Sequence, residues 1–99
     1  MVKWSVPAKN DLKQIHDYIA KDSKYYARRV IQEIVAKTET LADFPEIGRG
    51  VPEISDQNIR ELLVYSYRLV YEISVEAIEI LAIIHGKRDF SSALNERLE

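Results

Sequence analysis

Ninety-nine residues suffice for one hydrophobic core but not two, so residues 1–99 are expected to form a single domain. A composition of 46% apolar and 30% charged residues is that of an ordinary soluble globular chain, and the lack of cysteine excludes a disulfide framework or a thiolate metal site. The net charge of −2 comes from 14 basic and 16 acidic residues, which argues against a broad phosphate-binding surface.

In chain order, Val2–Val6 alternates Val2, Trp4 and Val6 against Lys3 and Ser5, a short strand pattern. Pro7 suits the first turn of a helix, where a missing N–H costs nothing. Ala8, Leu12, Ile15 and Ile19 then follow at helical spacing through about Lys21. Asp22-Ser23 interrupts the pattern, and Ser23 is a suitable cap for a second helix running to about Ala42. One side of that helix carries Ala27, Val30, Ile31, Ile34, Thr38 and Leu41. Phe44-Pro45 ends it, because the residue before proline is pushed out of helical geometry. Two helices joined by so short a turn form an αα-hairpin. The segment from Glu46 to Asn58, with Gly48, Gly50 and Pro52, is expected to be an irregular surface loop.

Three successive strands follow, at about 60–65, 67–73 and 77–85, rich in Ile, Val, Leu and Tyr. The predicted order is β-α-α-β-β-β: an α+β fold with a small antiparallel twisted sheet and the helical hairpin packed on one face. With a two-residue Val75-Glu76 turn, Ile73 faces Ile78, Tyr71 faces Ile80, Leu69 faces Ala82 and Tyr67 faces Ile84, giving one apolar side. The other side then carries Arg68, Val70, Leu81, Ile83 and His85, with Glu72 opposite Glu79. Large aliphatics mixed with a cation and an imidazole mark a docking face. The position of Arg60 depends on the hairpin at Tyr65–Tyr67. A three-residue loop sets Arg60 across from Glu72, whereas a two-residue loop turns it toward the core.

These pieces together resemble the RelE/ParE superfamily of toxins from bacterial toxin–antitoxin modules, nearest its ParE branch. The resemblance runs from Trp4 to about Asp89. It rests on Trp4-Ser5, A-x-x-D-L-x-x-I-x-x-Y-I at Ala8–Ile19, L-x-x-F-P-x-x-G-R at Leu41–Arg49, R-x-L-x-V at Arg60–Val64, Y-R-L-V-Y at Tyr67–Tyr71, and I-L-x-x-x-H-G-K-R-D at Ile80–Asp89. It implies a cytoplasmic toxin with a cognate antitoxin, whose partly disordered C-terminal part orders on the free sheet face, in a toxin–antitoxin hetero-oligomer.

Two targets follow from the resemblance. RelE-like members cut mRNA in the ribosome, and ParE-like members poison DNA gyrase. Cutting RNA through its 2′-hydroxyl needs a base, an acid and cations on the phosphorane. The RelE arrangement places lysines on the strand before Y-R-L-V-Y and a tyrosine in the tail. Here no lysine occurs between Lys37 and Lys87 and no tyrosine after Tyr71, with Leu94 at the tail position; Arg68 and Arg88 match the two arginines. A YoeB-like set of Glu53, Arg68 and His85, with Arg88, is the alternative nuclease constellation, His85 lying one residue nearer the arginine than in that pattern. The expected function is therefore a ParE-like gyrase inhibitor without catalytic residues, with a ribosome-dependent endoribonuclease as the second reading.

The expected partner-binding residues are Arg60, Arg68, Val70, Leu81, Ile83, His85, Lys87 and Arg88. Lys9, Lys13, Lys21, Arg28 and Arg29 are read as solvated helix exterior, and Trp4, Tyr67 and Tyr71 as core. The two histidines, His16 and His85, lie far apart without a ligand pattern, so neither a metal nor another cofactor is expected. The absence of a signal-peptide pattern and of an apolar run near the roughly 18–20 residues of a membrane span points away from the membrane.

Overall fold

The computed structural model describes residues 1–86 of the chain. Two helices, α1 (Val6–Ala20) and α2 (Lys24–Thr40), follow β1 (Val2–Trp4), and β2 (Arg49–Gly50), β3 (Ile59–Val64), β4 (Tyr67–Ile73) and β5 (Ile78–His85) complete the sheet. Both helices start where the sequence places a cap. The Ser5 hydroxyl accepts from the Ala8 N–H at 3.2 Å and the Ser23 hydroxyl from the Tyr26 N–H at 3.1 Å. Among the described residues no helix is long and apolar enough to cross a membrane.

The sheet order is β1-β5-β4-β3-β2. The α+β class and the helical hairpin on one face are as expected, but the sheet is mixed, not antiparallel. β1 runs parallel to β5, with Val2 beside Ile78 and Trp4 beside Ile80. This pairing is possible because the two helices carry the chain across the sheet before β5 is laid down. The short β2, inside the segment expected to be loop, pairs Arg49 with Glu61 and Gly50 with Arg60.

A β-bulge in the β4–β5 pairing changes the expected faces. Ile73 pairs with Ile78 and Tyr71 with Ile80, as the two-residue turn predicts, but Val70 then pairs with Ala82, so Leu81 is an extra residue. From there on the register is shifted by one, with Leu69 beside Ile83 and Tyr67 beside His85. Ile83 therefore joins the helix-side core, and Ala82 and Ile84 turn to the other face. The helix-side core holds Ala8, Ile15, Val30, Ile34, Leu41, Leu69, Tyr71, Ile78 and Ile80, with Trp4, Ile19 and Tyr67 packed against it.

Buried polar contacts lock α1 and the loop after α2 to the sheet. Beyond the end of β1, the Asp11 carboxylate of α1, itself buried, accepts the Ile83 N–H at 3.0 Å. The Tyr71 hydroxyl donates to the Pro45 carbonyl at 2.7 Å and accepts from the Gly48 N–H at 3.0 Å. A Cβ at Gly48 would lie 2.5 Å from that hydroxyl and 2.7 Å from the Glu61 carbonyl, so only glycine allows the approach.

Candidate partner-binding face

The sheet face away from the helices is not the open apolar surface that the alternation suggests. Val51 from the segment after β2 is buried there with Ile59, Val70, Leu81, Ala82 and Ile84, and Ile54 packs against them. Relative exposures of 0% for Val70, 9% for Leu81 and 4% for Ile83 show that these aliphatics are interior residues, Ile83 on the helix side. The physical reason is that the Val51–Ile54 stretch folds back over the sheet and closes a second, smaller core. A pattern of alternation along a strand carries no information about a loop that returns to cover it.

At the border of this small core stands an arginine–carboxylate cluster. The Glu61 side chain is wholly buried and is gripped by two guanidiniums. Arg49 donates to Oε2 from Nε at 3.3 Å and from Nη2 at 3.1 Å. Arg68 donates to Oε2 from Nε at 3.2 Å and to Oε1 from Nη2. Arg68 also forks onto Glu53, with Nη1 to Oε2 and Nη2 to Oε1 both at 2.9 Å. Bidentate pairing of this kind is the strong form of the arginine–carboxylate contact. These carboxylates, Glu53 foremost, push the Arg68 guanidinium further up from its already high range. In return the Arg68 hydrogen bonds hold the Glu53 carboxyl below its usual range. Any stability from that pair is present above the unfolded glutamate pKa of about 4.3 and is lost as the pH falls through the lower folded value.

The strands explain the placement. Alternation along β3 puts Glu61 and Leu63 on this face, and Leu63 is the cross-strand neighbour of Arg68. Leu63 is 60% exposed. β2 accompanies β3 only at Arg60 and Glu61, so among the described residues no strand runs beside Leu62–Val64 on that edge.

Of the residues expected to act together, Glu53 and Arg68 are joined directly, but His85 is not with them. Its imidazole stands edge-on to the Tyr67 ring at 5.5 Å and lines a helix-side cleft with Asp11, Gln14 and Tyr18. The bulge is again the cause, since it turns His85 to the side opposite Arg68. Arg60 is likewise on the helix side. The turn at Tyr65-Ser66 has two residues, Arg60 pairs with Tyr71, and its guanidinium donates to the Gly48 carbonyl at 2.9 Å. Its role is to hold the loop before β2. Lys87 and Arg88, like Leu94, lie outside the described residues. Among the described residues no group of histidine, aspartate and glutamate side chains has the arrangement of a metal site.

Arg49, Glu61 and Asp11 are not among the site residues expected from the sequence, although Asp11 and Arg49 stand in the motifs quoted above. Asp11 did carry a signal, being an acidic residue on the helix stripe of Ala8, Ile15 and Ile19, whereas Glu61 carried none, since it alternates onto the same face as the exposed Leu63.

Comparison with known proteins places this arrangement among relatives. The family model described as "ParE toxin of type II toxin-antitoxin system, parDE" matches residues 2–90. Toxin RelE2 of Caulobacter vibrioides is 32% identical over 88 residues, covering 88% of this chain and 96% of that protein. A solved structure, the chromosomal ParDE TA system from P. aeruginosa, superposes with a TM-score of 0.71 at 25% identity, covering 85% of this chain and 92% of that one.

Proposed function

Because the chain belongs to the ParE toxin family of type II toxin–antitoxin modules, we propose that it arrests growth by binding DNA gyrase and holding it with cleaved DNA, without cutting RNA itself. One observation carries this reading. Glu53 and Arg68 are locked to each other on one face of the sheet, while His85 stands on the other. A general base and acid must both reach the same reacting phosphate within hydrogen-bonding distance. Here Arg68 neutralises the glutamate, and the sheet separates the imidazole from both. The lysines and tail tyrosine that would substitute for them are missing from the sequence. In a supercoiling assay the purified toxin is expected to block gyrase or accumulate gyrase-cleaved plasmid. Unimpaired supercoiling with no cleaved DNA at a large molar excess of toxin overturns the reading.

The family implies a cognate antitoxin. We place it along the free edge of β3, where Leu63 is exposed and the backbone of Leu62–Val64 lacks a strand alongside among the described residues. An extended segment added there gains main-chain hydrogen bonds, with Leu63 as its apolar anchor and Arg49 as a charged rim. Leu63→Asp leaves the fold intact, because the residue is on the surface, but buries an unpaired carboxylate under the partner. Calorimetry with the antitoxin's C-terminal peptide is expected to show affinity reduced by about tenfold or more. Unchanged affinity means that the partner docks elsewhere.

A further inference from the structure

A second surface, separate from the Arg68 cluster, lies where α2 meets the tip of the β3–β4 hairpin. Tyr25, Tyr26 and Tyr65 are 70%, 62% and 57% exposed there. The Tyr25 and Tyr26 rings stand edge to face with centroids 6.3 Å apart. Arg29 donates to the Tyr25 hydroxyl at 3.4 Å and pairs with Glu33 at 3.5 Å, and the Tyr65 hydroxyl donates to the other Glu33 oxygen. Three large rings are thus presented to solvent, Tyr25 and Tyr65 linked through Arg29 and Glu33, and Tyr26 held by its ring contact with Tyr25.

Tyr65 also has an unfavourable backbone. Its φ of 56° lies in the left-handed region, and among the described residues no other residue has a positive φ. Two-residue hairpin turns that need this conformation take asparagine or glycine without penalty, whereas a bulky side chain there is an outlier. Strain of this sort collects at working surfaces. Packing does not account for the ring, which is more than half exposed.

Resting on the toxin reading above, we infer that the Tyr25–Tyr26–Tyr65 surface is the toxin's contact with its target, and that it meets a protein surface carrying acidic side chains. Tyrosine and arginine dominate binding hot spots, and an aromatic side chain buries roughly 150–250 Å². Three of them, even partly exposed, supply a substantial part of the ~800 Å² per partner of a standard interface. Lys24 and Arg28, exposed beside the rings, give the rim a positive charge that acidic side chains complement. Nucleic acid fits less well. Glu33 sits in the middle of the patch and engages Arg29, so a phosphate there would meet a carboxylate and find that guanidinium occupied.

The test uses Tyr65→Gly and Tyr26→Ala in the full-length toxin, with three readouts: growth arrest on induction, inhibition of purified gyrase, and affinity for the antitoxin's C-terminal peptide. Glycine relieves the backbone at residue 65, so the Tyr65→Gly melting temperature is expected to be equal to or above that of the parent. Both variants are expected to need about tenfold or more toxin for the same growth arrest, as for loss of a hot-spot ring. Tyr26 lies on α2 and not on the β3 edge, so the antitoxin affinity of Tyr26→Ala should stay within about twofold. Growth arrest undiminished in folded variants overturns the inference, as does an equal loss of antitoxin affinity in Tyr26→Ala or direct binding of duplex DNA through these rings. If the parent arrests growth but leaves gyrase untouched, the gyrase reading fails, while loss of arrest in the variants still upholds the surface. A parent that never arrests growth overturns both.

Discussion

Arg68→Ala is expected to cost the protein about 3 kcal/mol or more of folding stability, far beyond an ordinary surface change. The Glu61 side chain it leaves behind is fully buried, and its remaining partner, Arg49, has a side chain 61% exposed. Removing one member of a buried ion pair typically costs about 3–5 kcal/mol, because the other charge stays desolvated, and Arg49 keeps this case near the lower end. Replacing both members by apolar residues of similar volume is often neutral or stabilising. The double variant Arg68→Met/Glu61→Leu is therefore expected to recover most of the loss, since Glu61 and Arg68 border the small core of Val51, Ile59, Val70 and Ile84. Urea denaturation of the two single variants and the double variant measures the coupling directly. A loss below about 1 kcal/mol in Arg68→Ala would show that water reaches Glu61 and that the cluster is not buried in solution. The same result bears on activity. Lost toxicity in Arg68→Ala reports on contact with a partner only if the variant is still folded.

Ile80→Ala should be the other severe substitution. Ile80 is fully buried between the helical hairpin and the sheet, with Ile15, Ile34, Leu41, Leu69 and Tyr71 in the same core. A core isoleucine cut to alanine costs about 2–5 kcal/mol, set against a total stability of roughly 5–15 kcal/mol for a small domain. Toxicity is expected to disappear along with the folded state, visible as a melting temperature lower by several degrees or more. Lost activity at an unchanged melting temperature would mean that Ile80 does not lie in the core.

Much of this core was legible from the residues, and the limits are equally specific. Ser5 and Ser23, the apolar stripes of Ala8–Ile19 and Ala27–Leu41, and the turn at Val75-Glu76 are local signals, and each sits where its local chemistry requires. The pairings Ile73–Ile78 and Tyr71–Ile80 followed from the turn alone. Register was lost at Leu81. A bulge inserts one residue without changing hydrophobic composition, so strict alternation put Ile83 and His85 on the wrong side and Ala82 and Ile84 on the other. The second core has no local signature, because Val51 and Ile54 lie in a stretch whose Gly and Pro residues read only as loop. The candidate site was half visible. Arg68 and Glu53 stood out as residue types, but their mutual pairing, and the buried Glu61 between two arginines, depend on contacts between strands and a loop that no local pattern encodes. Tyr65 stands where the strand expected over 60–65 meets the hairpin, and nothing in the sequence reveals its left-handed backbone.

The separation of His85 from the Glu53–Arg68 pair is tested most directly on translating ribosomes. Purified toxin is added to an in vitro translation reaction and the message mapped by primer extension. A gyrase-directed toxin leaves the mRNA intact at concentrations that stop supercoiling. Cuts placed by codon position, abolished by either Glu53→Ala or His85→Ala in folded protein, would contradict it.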